Sequence, residues 1–303
     1  MSEHYARRTF IGGMLGATTL AAASSSRVTM PLESTLNQLT AAPDTDAMPA
    51  LFVGHGTPMS AIQPNQWTSV WAEIGRRLPR PRAILSISAH WLTQGGSLVT
   101  VSEAPHMNYD MYGFPQPIYD IVYPAKGAPA LAREVSEALT PALPVYGDKA
   151  WGFDHGTWVV LKYMFPAADV PVIQLSIDYS KPPEFHLELG RRLAFLRRKG
   201  VLIIGSGNMV HNLQWRPGSN HDQPFDWAVE FDRTIWERIQ EGDYQAVAAF
   251  QKLGSMAAMS HPTYDHFLPL LYCLGLVTAR DSVDAFVESF QWPAVSMRSL
   301  RIA

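Results

Sequence analysis

Three short apolar runs, each ending near a histidine, constrain this chain more than any other feature. The stretch 83–91 reads Ala-Ile-Leu-Ser-Ile-Ser-Ala-His-Trp. Ile84, Leu85 and Ile87 follow Pro81 and lead to His90, the pattern of a parallel strand buried on both faces. Ala50 to Val53 runs into Gly54-His55-Gly56 in the same way. Val201 to Ile204 runs through Gly205-Ser206-Gly207-Asn208 to His211. Ligands of open α/β sheets bind beyond the carboxyl ends of the strands. Three such runs therefore bring His55, His90 and His211 to one edge of one sheet.

Helical patterns separate the runs. Trp67, Val70, Trp71 and Ile74 share one face of a helix over 65–77, which Pro79 and Pro81 end. Residues 128–139 form a helix and 143–146 a short strand. Residues 182–198 form one amphipathic helix through Phe185, Leu189, Leu193 and Leu196, with Gly200 closing it. Val172 to Asp178 reads as a further strand. Helices follow over 225–240, 244–253 and 262–274, the last with His266 in its early turns. Residues 285–302 alternate enough for one or two closing strands. Residues 95–125, with Gly113, four prolines' worth of interruption around Pro115 and Pro117, and several tyrosines, have no period and read as a long irregular loop over the sheet edge. Alternating strands and helices without repeats predict one α/β domain over 48–303, with a mainly parallel sheet and helices on both faces.

The N-terminus has a different character. Ala6-Arg7-Arg8-Thr9-Phe10-Ile11 leads into a weakly apolar run and then Ala21-Ala22-Ala23. Paired arginines, an apolar run and small residues, in that order, resemble a twin-arginine export signal over 1–26. The expected partner is the twin-arginine export machinery and the expected location periplasmic. The apolar run is too short for stable membrane insertion. Residues 27–47 read as a flexible linker. The net charge of −3, without a long basic run, argues against a nucleic-acid partner. A single cysteine, Cys273, rules out a disulfide framework and a cysteine zinc site, and its apolar neighbours predict a buried, inert thiol. Nothing in the sequence fixes an oligomeric state.

The chain has ten histidines. His4 lies in the signal, His106 and His221 in polar or irregular stretches, and His186 on a helix, as a surface or packing residue. His55, His90, His155, His211 and His266 instead sit at strand ends or helix starts, flanked by Gly, Ser, Asn or Asp. Neutral imidazole is a common ligand of Zn2+, Fe2+ and related ions. A metal site on rigid elements is the reading; individually satisfied turn histidines are the plainer one. Gly205-Ser206-Gly207 lacks the spacing of a serine-hydrolase elbow. No His-Glu-x-x-His, phosphate loop or dinucleotide fingerprint occurs.

Seven motifs occur in a fixed order: Gly54-His55-Gly56-Thr57-Pro58-Met59, Ser88-Ala89-His90-Trp91, Gly113-Phe114-Pro115, Trp151-Gly152-Phe153-Asp154-His155-Gly156, Gln174-Leu175-Ser176, Gly205-Ser206-Gly207-Asn208 with Val210-His211-Asn212, and His266-Phe267-Leu268-Pro269-Leu270. Together they resemble the class III extradiol ring-cleavage dioxygenases, in the 4,5-DOPA dioxygenase extradiol branch, over about residues 48–303. The resemblance implies one divalent metal, Zn2+ or Fe2+, held by His55, His90 and His266, with Asp265 and Glu288 as fallbacks for the third ligand. It gives His211 two roles, fourth ligand or acid/base, and makes His155 a second active-site histidine. It implies a small catechol and O2 as substrates, with ring opening to a muconic semialdehyde. Fe2+ is needed for that chemistry, because Zn2+ cannot change oxidation state. Tyr119, Tyr123 and Trp151 are expected either to stack on an aromatic substrate or to pack in the core. A zinc hydrolase on the same histidines, and a metal-binding protein without turnover, are the rival readings.

Overall fold

A computed structural model of the chain describes residues 42–215 and 223–303, all in one compact unit. The proposed signal, His4 and His221 lie outside the described residues. Six strands form the main sheet: β1 (Ala50–Gly54), β2 (Ala83–Ser88), β3 (Val172–Gln174), β4 (Val201–Gly207), β5 (Val283–Val287) and β6 (Ser299–Ile302). Their order is β3-β2-β4-β1-β6-β5. The first four are parallel, and β6 joins β1 antiparallel, with β5 antiparallel to β6. The α/β reading with a mainly parallel sheet holds.

Successive residues of a strand point to opposite faces, and each face has its own core. Phe52, Leu85, Ile87 and Ile203 pack with α2 (Pro129–Leu139), α4 (Pro183–Leu193), α5 (Asp226–Gln240) and α6 (Leu268–Gly275). Leu51, Ile84, Leu202 and Ile204 pack with α1 (Gln66–Arg77) and α3 (His155–Met164). Every residue of β1, β2 and β4 is buried. That is why these strands read as continuous apolar runs rather than alternating ones.

Several elements differ from the sequence reading. The expected helix over 182–198 stops at Leu193 and resumes as one turn, Phe195–Arg198. The Ala194 N–H bonds three residues back to Arg191 O, a tightened turn that interrupts the helix. The strand expected over 172–178 splits, and Ile177–Asp178 leaves the main sheet to pair with Leu92–Thr93. The helix expected from 262 begins only at Leu268, with Pro269 in its first turn, where a missing N–H costs nothing. His266 therefore precedes that helix. The tail forms β5 and β6 with a hairpin between them, Phe290–Trp292 against Val295–Ser296. The short strand near 143–146 falls at Val145–Asp148, paired with Ser97–Thr100. Of the two readings of His186, surface or packing, the structure gives packing. It is fully buried, with Nδ1 3.2 Å from the Tyr272 hydroxyl.

The last residues of the expected linker are tethered. Thr45 N and Met48 N donate to Arg198 O and Arg197 O, and Asp44 pairs with Arg198 and Lys199. Cys273 is buried, its thiol pushed up to about 12 by burial, as expected of an inert residue.

Candidate active site

Parallel pairing of β1, β4 and β2 puts their carboxyl ends together. His55 follows β1 directly and His90 lies two residues beyond β2. Their Nε2 atoms are 3.0 Å apart. His266 comes from the turn before α6, and close approach of that turn to β4 places it. A side chain at Gly207 would overlap the His266 carbonyl oxygen, which accepts from Asn208 N at 2.9 Å. His266 completes a group with His55 and His90 whose ligand atoms all lie within 4.8 Å of one another.

Hydrogen bonding sets the tautomers of these rings. The Ser206 hydroxyl has one proton, and it goes to the Gly156 carbonyl at 2.6 Å. His55 Nδ1, 3.0 Å from the same oxygen, must then donate, which leaves Nε2 bare. His266 Nδ1 lies 3.1 Å from Asp265 Oδ2, and His90 Nδ1 lies 3.2 Å from Asp110 Oδ2. The Asp265 carboxylate draws the His266 proton to Nδ1 and frees its Nε2, and the Asp110 charge beside His90 favours a proton on that ring's Nδ1 through space. His55 and His90 thus face each other with lone pairs, a repulsive contact unless a cation lies between them. Two nitrogens about 2.1 Å from a shared ion at a right angle stand about 3.0 Å apart. The donor set therefore fits a divalent metal with neighbouring positions left open. Burial first, then neighbouring histidines, hold His55 and His90 well below the ordinary imidazole range, in the neutral form that ligates.

The fallback ligands are otherwise engaged. Asp265 bonds to His266, and Glu288, exposed, forms an ion pair with Arg298. His211 is beside the cluster but outside the converging three. Its ring stacks on His266 with centroids 3.5 Å apart and planes at 5°. Its backbone N–H donates to Ser260 O. Burial and the adjacent His266 lower its pKa as well.

His155 is the first residue of α3, capped by Asp154, whose side chain accepts from Thr157 N and from Gln174 Nε2. Its ring centroid is 3.9 Å from that of His90 and 5.5 Å from that of His55. Asp110 holds it twice, with Oδ1 on the backbone N–H and Oδ2 on Nδ1, both at 2.9 Å. Burial opposes the charged ring, but Asp110 and then Asp154 outweigh it, so the His155 pKa rises where its neighbours' fall. Asp154 itself is raised to about 6, chiefly by burial and then by Asp110. The sequence reading missed Asp110 and Ser206. Asp110 lies in the aperiodic 95–125 segment, and Ser206 has no local pattern apart from the glycines on either side of it.

The aromatic expectations divide. Tyr123 is core: it is buried, with its hydroxyl on Phe165 O. Trp151 stacks on Trp91, the residue after His90, at 5.1 Å and 2°. Tyr119 packs edge-on against Tyr109 and its hydroxyl meets Phe114 N.

A three-histidine group at the carboxyl edge of a parallel sheet, two of its members buried and His90 half-buried, with His155 and Asp110 beside it, has the donor set of a metal centre. The family described as the catalytic LigB subunit of aromatic ring-opening dioxygenase matches residues 49–298, and the chain belongs to it: it is an extradiol ring-cleavage dioxygenase. Among relatives, it is 44% identical over 258 residues to the 4,5-DOPA dioxygenase extradiol of Escherichia coli K12, across 84% of this chain and 94% of that one. It is 35% identical over 255 residues to the 4,5-DOPA dioxygenase extradiol of Beta vulgaris, across 82% and 94%. A solved structure of an uncharacterized Escherichia coli K12 protein superposes with a TM-score of 0.71 at 41% identity, covering 84% of this chain and all of that one.

Proposed function

We propose that the chain opens the ring of a DOPA-like catechol with Fe2+ in the three-histidine group, giving a muconic semialdehyde, and that it acts after export. The observation that carries this is the convergence of bare Nε2 atoms on His55, His90 and His266, with His155 beside them. Relatives named 4,5-DOPA dioxygenase extradiol support the substrate class. A divalent metal in the group supplies an anchor for both catechol oxygens, and only a redox-active one such as Fe2+ supplies activation of dioxygen.

The remaining work falls to the chain. His155, with Nδ1 committed to Asp110, presents Nε2 as the base for a phenolic proton. His211, stacked on His266, stands beside the group as an acid/base residue rather than as a fourth ligand. His55, His155 and His266 are buried, while His90 and Asp110 keep partial exposure on the side from which a substrate would enter.

The test is oxygen uptake by protein loaded anaerobically with Fe2+ or with Zn2+, using DOPA and simpler catechols. Uptake coupled to a yellow product with Fe2+, and none with Zn2+, is expected. Stoichiometric Fe2+ with no uptake on any catechol would overturn the reading.

Export rests on Arg7 and Arg8 before an apolar run, in a segment that precedes the family match at residue 49. Changing both arginines to Lys should leave the protein unprocessed in the cytoplasm. Unchanged recovery from the periplasm would refute export by this route.

A further inference from the structure

Asp110 belongs to no element of the main sheet or its helices, yet it makes a close set of contacts. One carboxylate oxygen accepts the backbone N–H of His155, an unpaired donor of the first turn of α3. The other meets the ring Nδ1 of the same residue, so a single side chain fixes both the backbone and the ring. That second oxygen is also 3.2 Å from Nδ1 of His90. The carboxylate is 13% exposed and close to two imidazoles that differ in their task.

We propose that Asp110 is the positioning residue of the reaction: it fixes the tautomer and aim of His155, so that the bare Nε2 faces substrate, and ties that ring to the metal ligand His90. This deepens the dioxygenase reading and rests on it for its catalytic consequence, though not for its structural content. A carboxylate only accepts hydrogen bonds, so it requires a proton on His155 Nδ1. Without it the neutral ring would be free to carry its proton on Nε2, where the nitrogen could no longer take one from a phenol. The equivalent contact in other acid/base sites holds an imidazole in the productive tautomer, and amide replacement there leaves the geometry while costing rate.

Asp110→Asn separates this role from simple helix capping. The His155 backbone N–H can only donate, so the amide oxygen must take it and the cap survives. The amide nitrogen then faces Nδ1 and donates to it, which forces the ring proton to Nε2. Histidine 15N spectra of zinc-loaded protein, with the His155 signals identified by their loss in His155→Gln, read the tautomer without any turnover. Wild type should show protonated Nδ1 at His155, and Asp110→Asn protonated Nε2, at an unchanged melting temperature. The rate of the Fe2+-loaded variant with a catechol, at saturating metal, should fall ~100-fold with little change in KM. Saturation is needed because loss of the His90 contact should weaken metal binding about 10-fold or more. An unchanged His155 tautomer in Asp110→Asn overturns the proposal whatever the activity. A switched tautomer with a wild-type rate overturns its catalytic part. Failure of wild type to cleave any catechol would strike the dioxygenase reading alone, while the spectra still decide what Asp110 does to His155.

Discussion

At the scale of single residues, the site is governed by where a few protons sit. Ser206 illustrates this. Its one proton is committed to Gly156 O, so its oxygen accepts from His55 and leaves the facing nitrogen bare. Ser206→Ala removes that acceptor and lets His55 adopt the other tautomer. Metal affinity should fall about 10–100-fold, by analogy with other partners of ligating histidines. The fold should lose only about 1 kcal/mol for the missing hydrogen bond. Metal titration of the purified variant checks this, and undiminished affinity would show that Ser206 does not set the tautomer. His55→Ala, by contrast, should lose stoichiometric metal altogether. The five histidines were readable from the sequence because His55, His90 and His211 follow apolar runs, His155 and His266 stand before helical patterns, and Gly, Ser, Asn or Asp lie close to each. Asp110 was not, because it partners a residue 45 positions away from within a segment with no period.

At the scale of elements, glycines decide how closely the pieces approach. A Cβ on Gly156 would meet Ser88 Oγ at 2.6 Å and His90 Cδ2 at 3.1 Å, so α3 reaches the cluster only because that residue lacks one. On β4, a Cβ at Gly205 would meet Pro269 O at 2.5 Å and Cys273 Sγ at 2.6 Å, while one at Gly207 would overlap His266 O. Alanine at either position should destabilise the fold by about 1–3 kcal/mol through overpacking. Only Gly207→Ala should also weaken metal binding, because it displaces the segment that carries His266. Denaturation midpoints and metal titrations on the two variants test the distinction; equal metal affinity in both would refute it. The delayed start of α6 has the same origin. The His266 carbonyl serves Asn208 N at the end of β4, so the helix begins two residues later, at Leu268.

At the scale of the whole molecule, two buried faces of one sheet enclose several histidines, and this makes stability depend on pH. His186, on α4, is buried against Tyr272 of α6, and His261 against Phe231 of α5, and burial pulls each down to about 4 from an ordinary 6.5. Above about pH 6.5 both are neutral folded or unfolded and contribute no pH dependence. Between about 6.5 and 4 the unfolded chain binds the protons first, so stability falls as pH falls. The loss should approach about 1.4 kcal/mol per pH unit for each residue within that window. Urea midpoints of metal-free protein from pH 7 to 4.5 measure the slope. His186→Gln, in contact with Tyr272 and the Lys181 backbone rather than with the metal group, should reduce it. An identical slope in that variant would exclude His186 as a contributor.

By itself the sequence determined the class of fold, the strands that carry it and which histidines lie at their ends, because burial on both faces writes a strand as an apolar run and its end as a cluster of small and polar residues. The apolar runs at 50–53, 84–87 and 201–204 needed no tertiary knowledge to be read as strands sharing one edge, and each lies inside an observed strand. The tertiary structure alone decided which histidines converge. His266 joins His55 and His90, while His211 stacks beside them. It alone brought Asp110 onto His155 and Ser206 onto His55. Local sequence encodes backbone preference and burial, which act over a few residues. The aim and tautomer of an imidazole depend on donors and acceptors from distant segments, and these become neighbours only once the sheet and its helices have packed.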